Sequence, residues 1–269
     1  MKYDLTVSIV LYKNSALDLM RTIDSVYSTE LSFKLFLVDN SPTNELEKVV
    51  RDNRTEYIFN GNNLGFGKAH NIIFTKIVND SKYHLVLNPD VTFEGTSLQK
   101  LFSVMEDEEE IGIIQPKVFY PDGRHQYVNK RLPHPLDLFA RRFFFGFLNG
   151  IVKKRMDIYE MRDKNLELKF EVPSVSGCFM FLRVAAIKKV GFFDERYFMY
   201  AEDIDLSRRM LRAYKNIYYP HASIIHGHAR ESYRINRLFF IHISSVIKYF
   251  NKWGWFFDRE KEMLNNRTL

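Results

Sequence analysis

The chain contains a single cysteine, Cys178, among 269 residues. No disulfide can form within it, and a lone thiol suits a reducing compartment. No apolar run reaches the roughly 18 residues that a membrane-spanning helix needs. Met1-Lys2-Tyr3-Asp4 leads directly into a strand-like pattern with no signal-peptide character, so a cytoplasmic protein is expected. Two nucleotide-binding fingerprints are also missing: neither G-x-G-x-x-G after the first strand nor G-x-x-x-x-G-K-S/T occurs. There is no internal repeat and no low-complexity linker.

What is abundant is apolar and aromatic. Hydrophobic residues make up 46% of the chain, with 24 Phe and 15 Tyr, enough for a sizeable core. The formal charge of +6 suits an anionic ligand or an anionic surface. Nucleic acid is not the expected partner, because the basic residues are dispersed and no base-reading motif is present.

Along the first 120 residues, apolar strand-like runs alternate with helical patterns. Leu5 to Tyr12 and Leu35 to Val38 read as buried strands, Tyr57 to Phe59 as a short one, and Leu85-Val86-Leu87 as another. Between them Asn14 and Ser15 are placed to cap a helix carrying Leu17, Met20, Ile23 and Val26. Helices are expected over about 43–52, 68–78 and 97–105. The loop Asn60-Gly61-Asn62-Asn63-Leu64-Gly65-Phe66-Gly67 supplies glycines that reach positive φ and bring backbone N–H groups near a ligand. This alternation predicts an α/β fold with a parallel sheet of the doubly wound kind, whose ligands bind at the carboxyl ends of the strands. Asp90, just past Asn88-Pro89, stands at such an end. By itself it reads equally as a turn residue or as an acid placed for a metal ion or a phosphate.

Beyond residue 110 the pattern changes to short strands at 111–115, 117–120, 175–182, 216–219 and 222–225. Asn129 to Glu171 reads as a packed insertion. Its Arg141-Arg142-Phe143-Phe144-Phe145-Gly146-Phe147 and Lys153-Lys154-Arg155 clusters also suit an anionic membrane surface. Tyr200-Ala201-Glu202-Asp203-Ile204-Asp205 gathers three carboxylates at a helix start. Acids there favour the helix dipole, and Asp205 can pair with Arg209 one turn on. Adjacent Glu202 and Asp203 repel, which marks one of them as a general base of altered pKa. The strand to Ile225 delivers His226-Gly227-His228, where a histidine reads either as a hydrogen-bonded residue or as a ligand. The tail from Ser232 to Phe257 has apolar positions at helical spacing and ends with Trp253 and Trp255 among basic residues.

Together these segments resemble the inverting nucleotide-sugar glycosyltransferases of family 2, most closely a bacterial rhamnosyltransferase-like branch. The resemblance rests on Val7 to Tyr12, Val38-Asp39-Asn40-Ser41, Asn63 to Gly67, Leu87-Asn88-Pro89-Asp90, Ser176-Gly177-Cys178, Gly191-Phe192-Phe193-Asp194, Tyr200 to Leu206 and the strand ending at His226. It covers about residues 5 to 230. It implies a GT-A fold: a mostly parallel Rossmann-like sheet flanked by helices, with a mixed acceptor-side region and a C-terminal helical tail. The expected organisation is a domain over 1–230, with a nucleotide-sugar half to about 120 and an acceptor half at 121–230 holding the insertion 129–171, then a helical extension over 231–269.

By position, the resemblance assigns Tyr12, Asp39, Asn40, Asn63, Gly65, Asn88 and Asp90 to a nucleoside-diphosphate sugar of dTDP or UDP type. Gly177, Glu202 and Asp205 fall on the acceptor side, with Asp205 and Glu202 orienting the acceptor or the helix. Asp203 is the catalytic base. Asp90 and His226, with His228 as runner-up, would hold a divalent cation, Mn²⁺ or Mg²⁺. Asn88 stands where the family's D-x-D element has its first acid. The expected reaction moves a deoxyhexose or hexose, rhamnose being the sugar the branch suggests, to a hydroxyl of a bacterial surface glycan or lipid-linked acceptor at the inner face of the plasma membrane. Two other classes remain open at this point. A sugar-phosphate nucleotidyltransferase could share the sheet, but Tyr12-Lys13-Asn14-Ser15 lacks its glycine-rich signature. A non-catalytic sugar-binding module would have no use for Asp203.

Overall fold

The computed structural model describes residues 1–138, 150–227 and 237–268. The Arg141–Phe147 cluster, His228 and the start of the tail at Ser232 lie outside the described residues. Strands β1 (Tyr3–Leu11), β2 (Phe33–Asp39), β3 (Thr55–Phe59) and β4 (Ser81–Leu87) pair in parallel in the order β3-β2-β1-β4. Their near-continuous apolar runs follow from burial on both faces. Leu5, Val7, Ile9, Leu35, Leu37, Leu85 and Leu87 are fully buried in the core that helix α1 (Ala16–Tyr27) joins. Val38 and Val86 belong to the opposite core with Ile73 and Phe74 of helix α2 (Phe66–Ile77).

Helix α1 starts at Ser15, whose hydroxyl accepts the Asp18 N–H at 3.4 Å. Its buried stripe is Leu19, Thr22, Ile23 and Val26. Leu17, expected on that stripe, is 56% exposed, since two residues from Leu19 it points about 200° away. The helix expected over 43–52 is a single 3₁₀ segment, Glu45–Val49. Only Leu46 and Val49 reach the core from it, a three-residue spacing that a 3₁₀ turn brings onto one line.

Beyond β4 the sheet becomes mixed. Strand β8 (Phe179–Arg183) lies antiparallel to β4, and β6 (Ile111–Phe119) antiparallel to β8. Strand β9 (Lys215–His226) runs parallel to β6. The two-residue strands β5 (Val91–Thr92) and β7 (Phe170–Glu171) pair antiparallel with β9. The sheet continues without a break past residue 120. The four strands expected at 111–115, 117–120, 216–219 and 222–225 merge into two here, running through Pro116 and past Pro220. Pro116 pairs with Tyr219 and the next rung joins Lys117 to Ser223, so the three residues from Pro220 to Ala222 bulge out of β9 while the strand carries on.

Further helices are α3 (Gly95–Asp107), α4 (Ile151–Tyr159), α5 (Val184–Val190), α6 (Glu202–Met210), α7 (Arg237–Trp253) and α8 (Arg259–Asn266). Tyr249 and Phe250 of α7 pack on Tyr197 and Ala201 just before α6. Arg208 of α6, 1% exposed, holds Asp258 in a two-pronged pair at 2.6 Å per bond and Glu260 at 2.8 Å. No described helix is long and apolar enough to cross a membrane.

The glycine loop ends in a backbone clasp. The Phe66 N–H donates to the Phe198 carbonyl at 2.8 Å, with Gly65 at φ +87°. A Cβ on Gly65 would sit 2.2 Å from that carbonyl oxygen. Gly65→Ala is therefore expected to cost about 2 kcal/mol or more, through strain and loss of the clasp. A thermal melt should show a fall of roughly 5 °C; an unchanged midpoint would mean that the clasp is not needed.

Candidate functional site

The carboxyl end of β4 delivers the first group. After Leu87, the Asn88 N–H donates to the Cys178 carbonyl at 2.9 Å, and the chain turns through Pro89 into β5. Val91 then pairs with His226, and the Gly227 N–H donates to the Asp90 carbonyl at 3.0 Å. This pairing sets His226 Nε2 3.5 Å from Asp90 Oδ1 and 3.4 Å from Asn88 Nδ2. The other ring nitrogen, Nδ1, is 2.8 Å from Gln126 Oε1, which fixes the ring with Nε2 toward Asp90. Burial opposes a proton on His226, but the Cys178 sulfur and the Asp90 carboxylate beside it push its pKa up to about 10.

A divalent ion fits this donor set. A carboxylate and an imidazole 3.5 Å apart are near the ~3–3.4 Å between adjacent ligands that each lie about 2.1 Å from one ion. An ion there would displace the imidazole proton. Among the described residues no three His, Cys, Asp or Glu side chains converge, so the protein offers this pair and a phosphate-bearing substrate would supply further oxygens. Asn88 offers an amide where a second carboxylate would bind more tightly.

The second group is the start of α6. Tyr200 and Ala201 sit at φ +71° and +68°, a left-handed pair without glycine that turns the chain sharply into the helix. Asp203, against the turn before β8, accepts the Gly177 N–H at 3.1 Å and the Ile204 N–H at 2.8 Å. Glu202 is 5% exposed, and its Oε2 has no hydrogen-bond partner among the described residues. Burial and then the charge on Asp203 push the Glu202 pKa up to about 8. Burial raises Asp203 too, but its two N–H donors oppose the rise. Of the pair, Glu202 is therefore the acid that holds a proton near neutral pH, and the N–H donors favour the charged form at Asp203. Asp205 faces the other way: fully buried, it binds Arg209 Nε at 2.8 Å, Lys252 Nζ at 2.6 Å and Trp253 Nε1 at 2.8 Å. Its place is with the helix packing, including the Arg209 pair expected from the i,i+4 spacing.

The third set surrounds the ends of β1 and β2. Asp39 is fully buried, accepting the Ser41 N–H at 2.7 Å and the Tyr57 hydroxyl at 2.5 Å. Asn40 donates to the Gly65 carbonyl at 3.1 Å and accepts from Asn60 at 2.9 Å, while Asn63 accepts the Gly65 N–H at 2.9 Å. These amides shape the loop, and Tyr12, 45% exposed, is the open side chain of the set.

A cavity of about 720 Å³ joins His226 of the first group to Glu202 and Asp203 of the second. Its far wall is the segment from Tyr120 to Lys130 with Arg162 and Tyr200. None of the third set lines it. Gln126 Nε2 and both ring nitrogens of His125 are buried in this wall without a hydrogen-bond partner among the described residues, which suits a ligand rich in hydroxyls. Burial, with Lys117 and Arg162 nearby, pushes His125 down to about 4, so it is neutral. Sequence reasoning missed Gln126 and His125. The turn signal at Pro121-Asp122-Gly123 marks their loop, but nothing local says that it folds back over β9.

Residues 7–191 match glycosyl transferase family 2. Over 222 residues the chain is 28% identical to the N-acetylglucosaminyl-diphospho-decaprenol L-rhamnosyltransferase of Mycobacterium tuberculosis, covering 77% of this chain and 70% of that protein. It is 23% identical over 258 residues to the rhamnosyltransferase WbbL of Escherichia coli, covering 93% and 90%. Among solved structures it resembles GalNAc-T7 with UDP, GalNAc and Mn²⁺ at a TM-score of 0.63 and 15% identity, covering 87% of this chain and 45% of that one. It also resembles the mannosyltransferase PcManGT of Pyrobaculum calidifontis in complex with GDP-Man and Mn²⁺, at 0.58 and 13%, covering 87% and 59%. The chain thus spans about half the length of these neighbours, and the likeness is one of fold, the GT-A arrangement expected above.

The buried Glu202–Asp203 pair makes stability depend on pH. Because the folded state raises the Glu202 pKa from 4.5 to about 8, it keeps a proton that the unfolded chain releases. Stability present below about pH 4.5 is then lost as the pH climbs to about 8. Glu202→Gln imitates the protonated acid and should remove that loss. The variant is expected to match wild type at pH 5 and exceed it at pH 9 by on the order of 3 kcal/mol in urea unfolding. A gap that stays constant between the two pH values would contradict the assignment.

Proposed function

The chain belongs to glycosyl transferase family 2 and is a glycosyltransferase; from that premise we propose that it transfers one sugar, rhamnose, with inversion from a dTDP- or UDP-type nucleoside diphosphate to a hydroxyl of a glycan or lipid-linked acceptor. The observation that carries this reading is the single cavity lined by both Asp203 and His226. It brings a carboxylate base and the histidine that stands 3.5 Å from Asp90 into one space, as a single displacement between two substrates requires. The names of the relatives supply the sugar and suggest the lipid carrier. A place at the inner face of the plasma membrane belongs to the same proposal.

In this reading the nucleotide lies over Tyr12 and the loop held by Asp39, Asn40, Asn63 and Gly65, with its diphosphate toward Asn88 and Asp90. The acceptor enters the cavity and presents a hydroxyl to Asp203. Asp203 takes the proton as the oxygen forms its bond to the anomeric carbon. The bond from that carbon to the diphosphate oxygen breaks on the opposite face, and the electron pair leaves on the diphosphate. One displacement inverts the centre and needs one base. Bound between Asp90, His226 and the diphosphate, a Mn²⁺ or Mg²⁺ ion would neutralise charge on the leaving group. Gln126 holds His226 at the required tilt, and protonated Glu202 can donate to the acceptor without competing for its proton. The Gly177 and Ile204 N–H groups oppose protonation of the Asp203 carboxylate and aim it.

Asp203→Asn should lower turnover by about 10²–10⁴-fold while donor binding stays within roughly twofold. Wild type and variant would be incubated with a panel of nucleotide sugars, with and without Mn²⁺, and followed by donor hydrolysis and thermal shift. The absence of any response of wild type to every donor would refute the proposal, and so would full activity of Asp203→Asn.

A further inference from the structure

Phe257 is 98% exposed and Phe256 62% exposed, side by side in the turn between α7 and α8. Single exposed aromatics are ordinary on a protein surface, but these belong to a group. The ring of Phe256 lies 6.1 Å from that of His134, and Leu136, two residues on, is 55% exposed. Phe240 and Ile247, seven residues apart on one stripe of α7, are 64% and 42% exposed. The elements that carry these side chains are also the elements that wall the cavity, through Pro133 and Leu138 on one and His242, Val246 and Tyr249 on the other. The segments that rim the cavity thus also carry open apolar side chains on their outer faces.

The charge beside this rim is positive. Arg155 of α4 pairs with Asp137, next to Leu136, and thereby ties α4 to the rim. Lys153 and Lys154 of the same helix are exposed, as is Arg259 two residues after Phe257. Of the nearby carboxylates, Asp137, Asp258 and Glu260 are taken up by Arg155, Arg208 and Arg212, and Glu262 is exposed on α8. Burial, then Lys261 and Arg155, hold the pKa of His134, beside Phe256, below its ordinary value. Exposed aromatics flanked by lysine and arginine match a bilayer interface, where rings enter the headgroup layer and cations meet lipid phosphates.

We propose that this rim docks the protein on an anionic membrane surface, with Leu136, Phe256 and Phe257 entering the headgroup layer, Lys153, Lys154 and Arg259 against its phosphates, and the cavity mouth held at the bilayer. The orientation rests on the proposed lipid-linked acceptor, whose sugar would then reach Asp203 without its lipid leaving the membrane. Docking itself needs only the surface.

The test is co-sedimentation of the full chain with phosphatidylglycerol or phosphatidylcholine vesicles at low and high salt. Three proteins are compared: wild type, the double variant Phe256→Ser/Phe257→Ser and the double variant Lys153→Glu/Lys154→Glu. Wild type is expected to bind phosphatidylglycerol more strongly than phosphatidylcholine and to weaken with salt. Each double variant should lose about tenfold or more in partitioning. Donor hydrolysis in vesicle-free buffer should stay within about twofold of wild type, since none of these residues touches the proposed reaction. Wild type remaining in the supernatant with both vesicles would overturn the proposal, as would a Phe256→Ser/Phe257→Ser variant that sediments like wild type. So would light scattering showing that the aromatic variant merely dissociates a dimer that binds no vesicles. Vesicle binding without any donor hydrolysis would instead count against the glycosyltransfer reading and leave docking standing.

Discussion

The site depends on one antiparallel strand placed in a parallel sheet. Strand β8 pairs with β4 in the register Leu87↔Phe179, closed by the Asn88 N–H on the Cys178 carbonyl at 2.9 Å. A parallel partner would begin at the far edge of the sheet. An antiparallel one begins where β4 ends, so the residues before β8 meet the residues after β4. That places Ser176-Gly177-Cys178 against Asn88 and Asp90, and Gly177 in turn holds Asp203. Gln115 of the neighbouring strand ties the turn from both sides, donating to the Phe179 carbonyl at 2.9 Å and accepting the Ser176 N–H at 2.6 Å. Phosphate side and base side are joined through backbone, with little freedom to drift.

The three carboxylates at the start of α6 show how position divides labour within four residues. All lie in the first turn, where the helix dipole favours negative charge. Burial raises the pKa of both neighbours, Glu202 and Asp203; the Gly177 and Ile204 N–H groups oppose the rise at Asp203, burial and the charge on Asp203 dominate at Glu202, and Asp205 is paired with Arg209 and Lys252 and hydrogen-bonded by Trp253. Two ionised neighbours without such distinctions would repel in a dry site. The difference in partners sets which acid can serve as base, and all of those partners lie outside the helix's first turn or on its backbone.

The parallel half of the sheet was legible because each strand is a short apolar run and each helix carries its own period. The motif order also carried Asp90, His226 and Asp203 to one region of the fold. What sequence could not show was set by contacts distant along the chain. Pro116 and Pro220 look like strand ends, yet both strands continue past them by a bulge that only their pairing reveals. Gln126 meets His226 across 100 residues. The chain of Ser81, Thr6, His84, Ser8 and His70, joined at 2.7–2.9 Å inside the sheet, gives no local signal either. Burial holds both of its histidines neutral, so they satisfy the interior and do not titrate near neutral pH.

The C-terminal helices belong to the same logic. Left-handed backbone at Tyr200 and Ala201 costs on the order of 1–3 kcal/mol per residue and persists only where packing over-determines it. Here the packing comes from α7, whose Tyr249 and Phe250 close on Tyr197 and Ala201, and whose Ser245 hydroxyl donates to the Met199 carbonyl at 2.8 Å. From the other end of α6, Arg208 is locked onto Asp258 with Trp253 4.2 Å away against its guanidinium. A buried ion pair of this kind adds little net stability compared with apolar packing, but it admits one arrangement of its helices. Holding α6 at both ends fixes the strained turn, and the turn fixes where Glu202 and Asp203 enter the cavity. The tail, which also walls the cavity through His242, Val246 and Tyr249, is thus a condition of the base being where a displacement needs it.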